Sequence, residues 1–226
     1  MNYLHRIATL YQLHSPCGLP EGEIAAAEQR LGIRFPAALR EYLLALGGSD
    51  TVNLSFNRLM PLEKIHFDGG CLVLAEENQG VFRCGIARAD LAQDNPPARI
   101  ACNIEGGSQW QPHLPDTRAL LLELACTNAV MGGLPYCANI MDGESIDAAA
   151  VRHIRQTRSE IIGLRRESQA FYTDGFHEVI LLCFAENGEA GGVFIGTADQ
   201  GRFDALLELF GRDNWLYTSY DECGIE

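Results

Sequence analysis

Three observations on this chain predict a fold that mixes helices with strands, helices leading. Glu23 to Gly48 places apolar residues at helical spacing on both sides of a proline-punctuated turn. From Val52 the apolar period drops toward two, with Leu54 and Phe56 alternating with polar residues. Leu72 to Ile86 reads as a pair of strands around the polar turn Glu76-Glu77-Asn78-Gln79-Gly80.

Each element follows in order. Asn2 to His14 carries Tyr3, Ile7, Leu10 and Tyr11 on one helical face, and Ser15-Pro16-Cys17-Gly18 breaks it. Pro20, Glu21 and Glu23 open a second helix, since negative charge suits a helix N-terminus, and Gly32 stops it. Pro36 opens a third, with Leu39, Tyr42, Leu43 and Leu46 as its apolar stripe and Gly47-Gly48 at its end. Extended structure is expected at Val52–Leu59, Cys71–Ala75, Val81–Ile86 and Arg99–Cys102. Asp116–Val130 is expected as a helix, and Ala148–Arg166 as one basic helix with Val151, Ile154, Ile161 and Leu164 inward. Strands at 170–173, 179–185 and 192–196, a helix at 203–210 and a strand over 215–220 complete the reading.

One echo stands out. LVLAEENQGVFRCGIA (72–87) and LLCFAENGEAGGVFIGTA (181–198) share an Ala-Glu-rich turn, then Gly-Val-Phe and Gly, and a helix follows each. Either the chain carries a degenerate duplication, or two hairpins of one sheet use the same turn chemistry.

The bulk numbers set bounds. At 226 residues, with 47% hydrophobic and 21% charged, the chain can bury a core. No apolar run reaches the roughly 18 residues that cross a bilayer, and MNYLHRIATLYQLH is too polar for a secretory signal, so a cytoplasmic protein is expected. The eight cysteines show no CxxC spacing, which fits reduced, mostly buried thiols. Net charge is −13, and residues 168–226 hold 11 acids against two arginines. Such a field repels nucleic acid and anionic membranes and attracts basic partners. Lys64 is the single lysine among 17 basic residues, a composition typical of GC-rich bacterial coding.

Catalytic signatures are missing: there is no HExxH, GxSxG, GxxxxGK[ST], strand-linked GxGxxG or EF-hand loop. No two histidines stand at i,i+4, so no helix offers a His pair to a metal, and no cofactor or metal ligand is assigned. His113, Cys126 and Cys137 have no zinc spacing. Cys84 or Cys102 with His113 is the one trial set for a nucleophile, against the blander reading of buried thiols. Two segments are candidates for contacting a partner. One is the hairpin turn Glu76, Glu77, Asn78 and Gln79, which as a solvated turn would have no such role. The other is the C-terminal run that interleaves Trp215, Tyr217 and Tyr220 with Asp213, Asp221 and Glu222, where aromatics anchor and acids steer.

The run from Ile24 through Glu28, Leu31-Gly32, Pro36, Leu39 and Tyr42 to Gly47-Gly48 resembles the N-terminal signature of the SMI1/KNR4 (SUKH) superfamily. The acidic hairpin Glu76–Phe82 leading to Gly85-Ile86, the loop Asp94-Asn95-Pro96-Pro97 and the helix 116–130 ending in Gly132-Gly133 follow in that family's order. Cys84 departs from it, standing where an aromatic is expected. The likeness spans about residues 15–135. It implies an α+β fold, with helices packed on a mainly antiparallel, twisted β-sheet. Residues 1–150 would form the family-like domain, and 151–226 a helix-strand extension packed on or continuing the same sheet. It further implies a non-enzymatic bacterial immunity protein that binds and neutralises a cognate polymorphic toxin; many such toxins are nucleases, and a basic one would be drawn to a chain of charge −13. The oligomeric state is left open between monomer and homodimer. A regulatory module acting on an endogenous partner is the alternative.

Overall fold

The computed structural model describes residues 2–15, 17–102 and 109–222. It is α+β, with eight helices and two antiparallel sheets among the described residues. Contacts group the chain into two compact units. The first is Ser15–Ala125; the second joins Met1–His14 to Cys126–Glu226.

Helix α1 (Tyr3–Leu10) belongs to the second unit; Asn2 caps it through its side chain, and Tyr3, Ile7 and Leu10 are buried. In the first unit, α2 (Glu21–Leu31) ends at Gly32, whose left-handed φ of 66° is open to glycine at little cost. α3 (Ala37–Leu46) starts after Pro36, with φ preset by the ring. Between them lies a buried carboxylate. Glu28 accepts the Phe35 N–H at 2.8 Å and the Arg40 Nε–H at 3.2 Å, and the Arg40 Nη2 also reaches Glu21 at 2.6 Å. Residues 50–59 differ from the alternating pattern. Asp50–Asn53 forms a one-turn helix, α4, because buried Asn53 bonds two groups on α3: its amide donates to Leu46 O (2.7 Å), and its carbonyl accepts from Tyr42 OH (2.6 Å). Only β1 (Arg58–Leu59) of that stretch joins a sheet.

The first sheet has β3 (Cys71–Glu76) and β4 (Phe82–Ala87) as its central hairpin. β1 and β2 (His66–Asp68) pair successive parts of the outer edge of β3. β5 (Ala98–Cys102) and β6 (Gln111–Leu114) extend the other side. Helix α5 (Thr117–Asn128) follows, and continues through a wide turn at Ala129–Gly133.

The second sheet runs in the order β12-β7-β11-β10-β9-β8. Its strands are β7 (Tyr136–Ile140), β8 (Ser159–Glu160), β9 (Gln169–Thr173), β10 (Glu178–Phe184), β11 (Ala190–Thr197) and β12 (Tyr217–Thr218). Helices α6 (Ala148–Thr157) and α7 (Gln200–Phe210) cover one face, where Val151, Ile154, Phe203 and Leu206 meet Ile180, Leu182, Val193 and Ile195. The expected helix over 148–166 stops nine residues early. Arg158 is extended (ψ 150°), its Nε donates to Glu178, and Ser159–Glu160 pairs with β9. Ile161 and Leu164 are still buried, so the apolar spacing was right while the element was not. The last expected strand shrinks to β12, followed by a short helix, α8 (Ser219–Glu222). β7, which lies before residue 150, pairs with β11 and β12.

The two echoing hairpins lie in separate sheets, so shared turn chemistry within one sheet does not explain them. They use one turn design. Gly80 (φ 74°) donates to Glu77 O, and Gly188 (φ 80°) donates to Ala185 O, both from left-handed backbone.

Two charged clusters lead to measurable consequences. Glu28→Ala leaves the buried Phe35 N–H without its acceptor and is expected to cost about 2 kcal/mol, whereas Glu21→Ala, removing a largely exposed partner, is expected to cost under about 0.5 kcal/mol. Urea unfolding of the two variants, followed by fluorescence, checks the contrast. In the second unit Arg202 bonds Asp174 (2.7 Å) and Glu178 (3.2 Å), whose side chain is 1% exposed. Arg202's hydrogen bond holds the Asp174 carboxyl below its ordinary range, against an opposing effect of burial. A depressed folded-state value stabilises the fold above the unfolded value, near about 3.9 for aspartate, and that contribution is lost as the pH falls. Asp174→Asn is therefore expected to be slightly less stable than wild type at pH 6, with the gap narrowing as the pH is lowered below the unfolded-state value, read by urea titrations at pH 6 and at a series of acid pH values.

Candidate partner interface

The hairpin turn is engaged with itself. Glu77 Oε2 accepts N–H bonds from Gln79 (2.9 Å) and Val81 (3.1 Å), so this carboxylate holds the turn in shape. Glu76 sits in register with Arg83 on β4 and is half-buried. Asn78 is half-buried, and its Oδ1 has no hydrogen-bond partner among the described residues. Gln79 and Val81 face solvent.

The C-terminal aromatics are also built into their unit. Trp215 donates its indole N–H to Leu207 O (3.2 Å) and packs edge-on against Phe210 at 5.8 Å. Tyr220 packs on Tyr136 and Phe203, and its hydroxyl donates to Asp204 at 3.0 Å. Burial first, then that bond, pushes its phenol upward. Tyr217, half-buried on β12, lies opposite Asn139. Asp221 accepts from both the N–H and the hydroxyl of Thr218. Asp213 is exposed, and Glu222 is described in its backbone alone. The outward apolar group here is Leu216, 70% exposed, which the aromatic pattern did not single out. The turn and the C-terminal run fall in different units.

Two clefts were not legible in the sequence. One, of about 560 Å³, lies in the second unit between the turn at 142–146, the exposed side of α6 and the β10–β11 turn. Its charged lining is mixed: Asp142, Glu144 and Glu189 beside Arg152 and Arg155. The other, of about 340 Å³, lies in the first unit where α2 begins, α3 ends, and α4 and the segment 59–63 meet. Leu43, Leu59, Met60 and Leu62 form its buried floor, and Leu54, 42% exposed, forms a wall. Its charged residues are Glu23, Asp50 and Glu63, all exposed. Arg30 holds the 62–65 turn in place by donating to Leu62 O (2.7 Å) and Ile65 O (2.8 Å). Forty residues separate the outer acids, and no local pattern links them.

The model of the SMI1 / KNR4 family (SUKH-1) matches residues 18–211. The chain belongs to the SMI1/KNR4 family. The match runs well past residue 135, so it takes in most of the second unit as well. Comparison with curated proteins and with solved structures returned no match. Within this SMI1/KNR4 chain the signature residues bond to one another. Glu28 ties α2 to the start of α3; Ala38 N donates to Asp94 O at 2.9 Å; Asn95 Oδ1 accepts from Arg118 N at 3.1 Å; Thr117 donates to Pro96 O at 2.9 Å. Cys84, where an aromatic was expected, is buried on β4. Trp110 lies against the next residue, Gly85, and donates its indole N–H to Asp68 O at 3.0 Å.

Among the described residues no group of three His, Cys, Asp or Glu side chains converges as a metal site. His113 Nε2 lies 2.8 Å from Glu123 Oε2, with both side chains nearly buried. Of the trial thiols, Cys84 is buried and Cys102 exposed. Burial pushes the unbridged thiols Cys71 and Cys183 up, away from the nucleophilic thiolate. With a disulfide reagent at pH 7.5, Cys71 and Cys183 are expected to react at least about tenfold more slowly than Cys102 in the native protein, and at similar rates in urea. Peptide mapping of the labelled sites checks this.

Proposed function

We propose that this SMI1/KNR4 protein is a non-enzymatic immunity protein of the bacterial cytoplasm, which binds a cognate secreted toxin and neutralises it by occlusion. The observation that carries the reading is the family match over residues 18–211. The net charge of −13 supports a basic toxin, a nuclease being the natural case, because a protein that handles polyanions is itself cationic. The two clefts support binding through surface relief, and no helix among the described residues is long and apolar enough to cross a membrane.

The test is co-expression with the toxin-like protein encoded beside it, scored by growth and by complex formation on a sizing column. Rescue with a co-eluting complex is the expected result. Rescue failure without a complex overturns the reading and favours an endogenous partner. The electrostatic part is checked separately. The association rate is expected to fall by about tenfold or more between low salt and 0.5 M salt, because screening shortens the steering field. A rate independent of salt would remove the basic-partner element while leaving the immunity role in place.

A further inference from the structure

We infer that the smaller cleft, in the first unit, is the docking site for a positively charged segment of a partner protein that presents an apolar side chain between arginines or lysines. The inference rests on the partner-binding role above and gives it a location and a chemistry.

The floor is apolar and already desolvated: Leu43, Leu59, Met60 and Leu62 are each below 10% exposure. Leu54 projects beside it with 42% of its surface still in water. An incoming aliphatic or aromatic side chain would cover Leu54 and gain the ordinary hydrophobic contribution of a buried contact. A volume of about 340 Å³ accommodates a short side-chain cluster rather than a whole element.

The rim fixes the sign of the occupant. Glu23, Asp50 and Glu63 approach from three separate elements, and every charged side chain lining the cleft is acidic. None of the three makes an ion pair with a described residue, whereas Glu21, Glu28, Glu41 and Asp68 of the same unit all do. The C-terminal end of α3 adds to the negative potential, since Gly47 and Gly48 line the cleft and a helix C-terminus carries partial negative charge. The larger cleft differs in this respect, because Arg152 and Arg155 there offset its acids. The small cleft therefore has the charge complementarity that commits to a cationic partner, and the apolar floor that gives such a partner more than diffuse attraction.

The architecture also keeps the cleft in shape without an occupant. Leu19 N donates to Leu43 O (2.8 Å), and Gly48 N to Cys17 O (2.7 Å), fixing the lead-in to α2 against the end of α3. Asn53, one of the lining residues, is held by Tyr42 and Leu46. A preformed site of this kind spares a partner the ordering of the wall.

The experiment has two arms on the full chain. In the first, an acetylated and amidated hexapeptide alternating arginine and leucine is titrated into isotopically labelled protein, with a glutamate-for-arginine peptide as control. Amide shifts at Gly47, Asp50, Leu54 and Met60 are expected with the arginine peptide and not with the control. The triple variant Glu23→Lys, Asp50→Lys, Glu63→Lys changes only exposed positions, and is expected to keep the wild-type circular dichroism while weakening the peptide at least about tenfold. Equal response to both peptides, shifts centred elsewhere, or no shift at millimolar peptide overturns the site. In the second arm the triple variant replaces wild type in the toxin co-expression. Protection by wild type and loss of protection by the variant supports the site. Protection by both overturns the site and leaves the immunity reading intact. If wild type itself fails to protect, the immunity reading falls, and the peptide titration still decides whether the cleft takes a cationic segment.

Discussion

The first unit depends on one buried carboxylate. Glu28 faces inward from α2 and would be costly to bury alone, so it is stable only with its donors in place. The Phe35 N–H and the Arg40 guanidinium supply them, and both come from the segment after the Gly32 turn. That arrangement fixes where α3 begins. With α3 placed, the Ala38 N–H finds Asp94 O, and the same loop caps α5 through Asn95 and Pro96. Pieces of sequence more than eighty residues apart are thus joined by a chain of hydrogen bonds that starts at one side chain.

This wiring gives the family signature a role within its own unit. Its glutamate, Gly32, the Pro96 carbonyl and its loop asparagine all bond to groups of their own unit. The parts of the chain that were legible are those whose physics is local. The α2–turn–α3 run follows from Gly32 and Pro36, and the β3–β4 hairpin follows from a glycine that must take positive φ. What was not legible needed tertiary information. Alternating apolar residues over 52–59 read as a strand, but Asn53 found Tyr42 and Leu46 instead. Ile161 and Leu164 kept a helical spacing across a helix end at Thr157, because a tight 3-10 turn at Ile162–Leu164 returns both to the core.

Trp215 and Tyr220 were singled out for a composition that serves interfaces and cores alike, and their indole and hydroxyl groups are bonded to Leu207 and Asp204 of their own unit. The small acidic cleft gave no such signal, since Glu23, Asp50 and Glu63 share nothing in sequence but their charge. Net charge misleads in a related way. Glu28, Glu77, Glu123 and Glu178 count toward the total, yet each is committed to an internal donor or to a partner side chain. A partner meets the uncommitted acids, so their placement matters more than the sum.

Separating committed from uncommitted charge also separates stability from recognition. Substitution at Glu28 or Glu178 leaves buried donors or cations unmatched and costs stability. Substitution at Glu23, Asp50 or Glu63 touches no described ion pair, and its cost is limited to the helix N-terminal charge of Glu23 and Asp50, about 0.3–1 kcal/mol each. A surface built in this way can change the partner it accepts while the hydrogen-bonded frame beneath it stays the same. The frame needs that independence, because a recognition residue that also held α2 to α3 could not vary without loosening the cleft it lines.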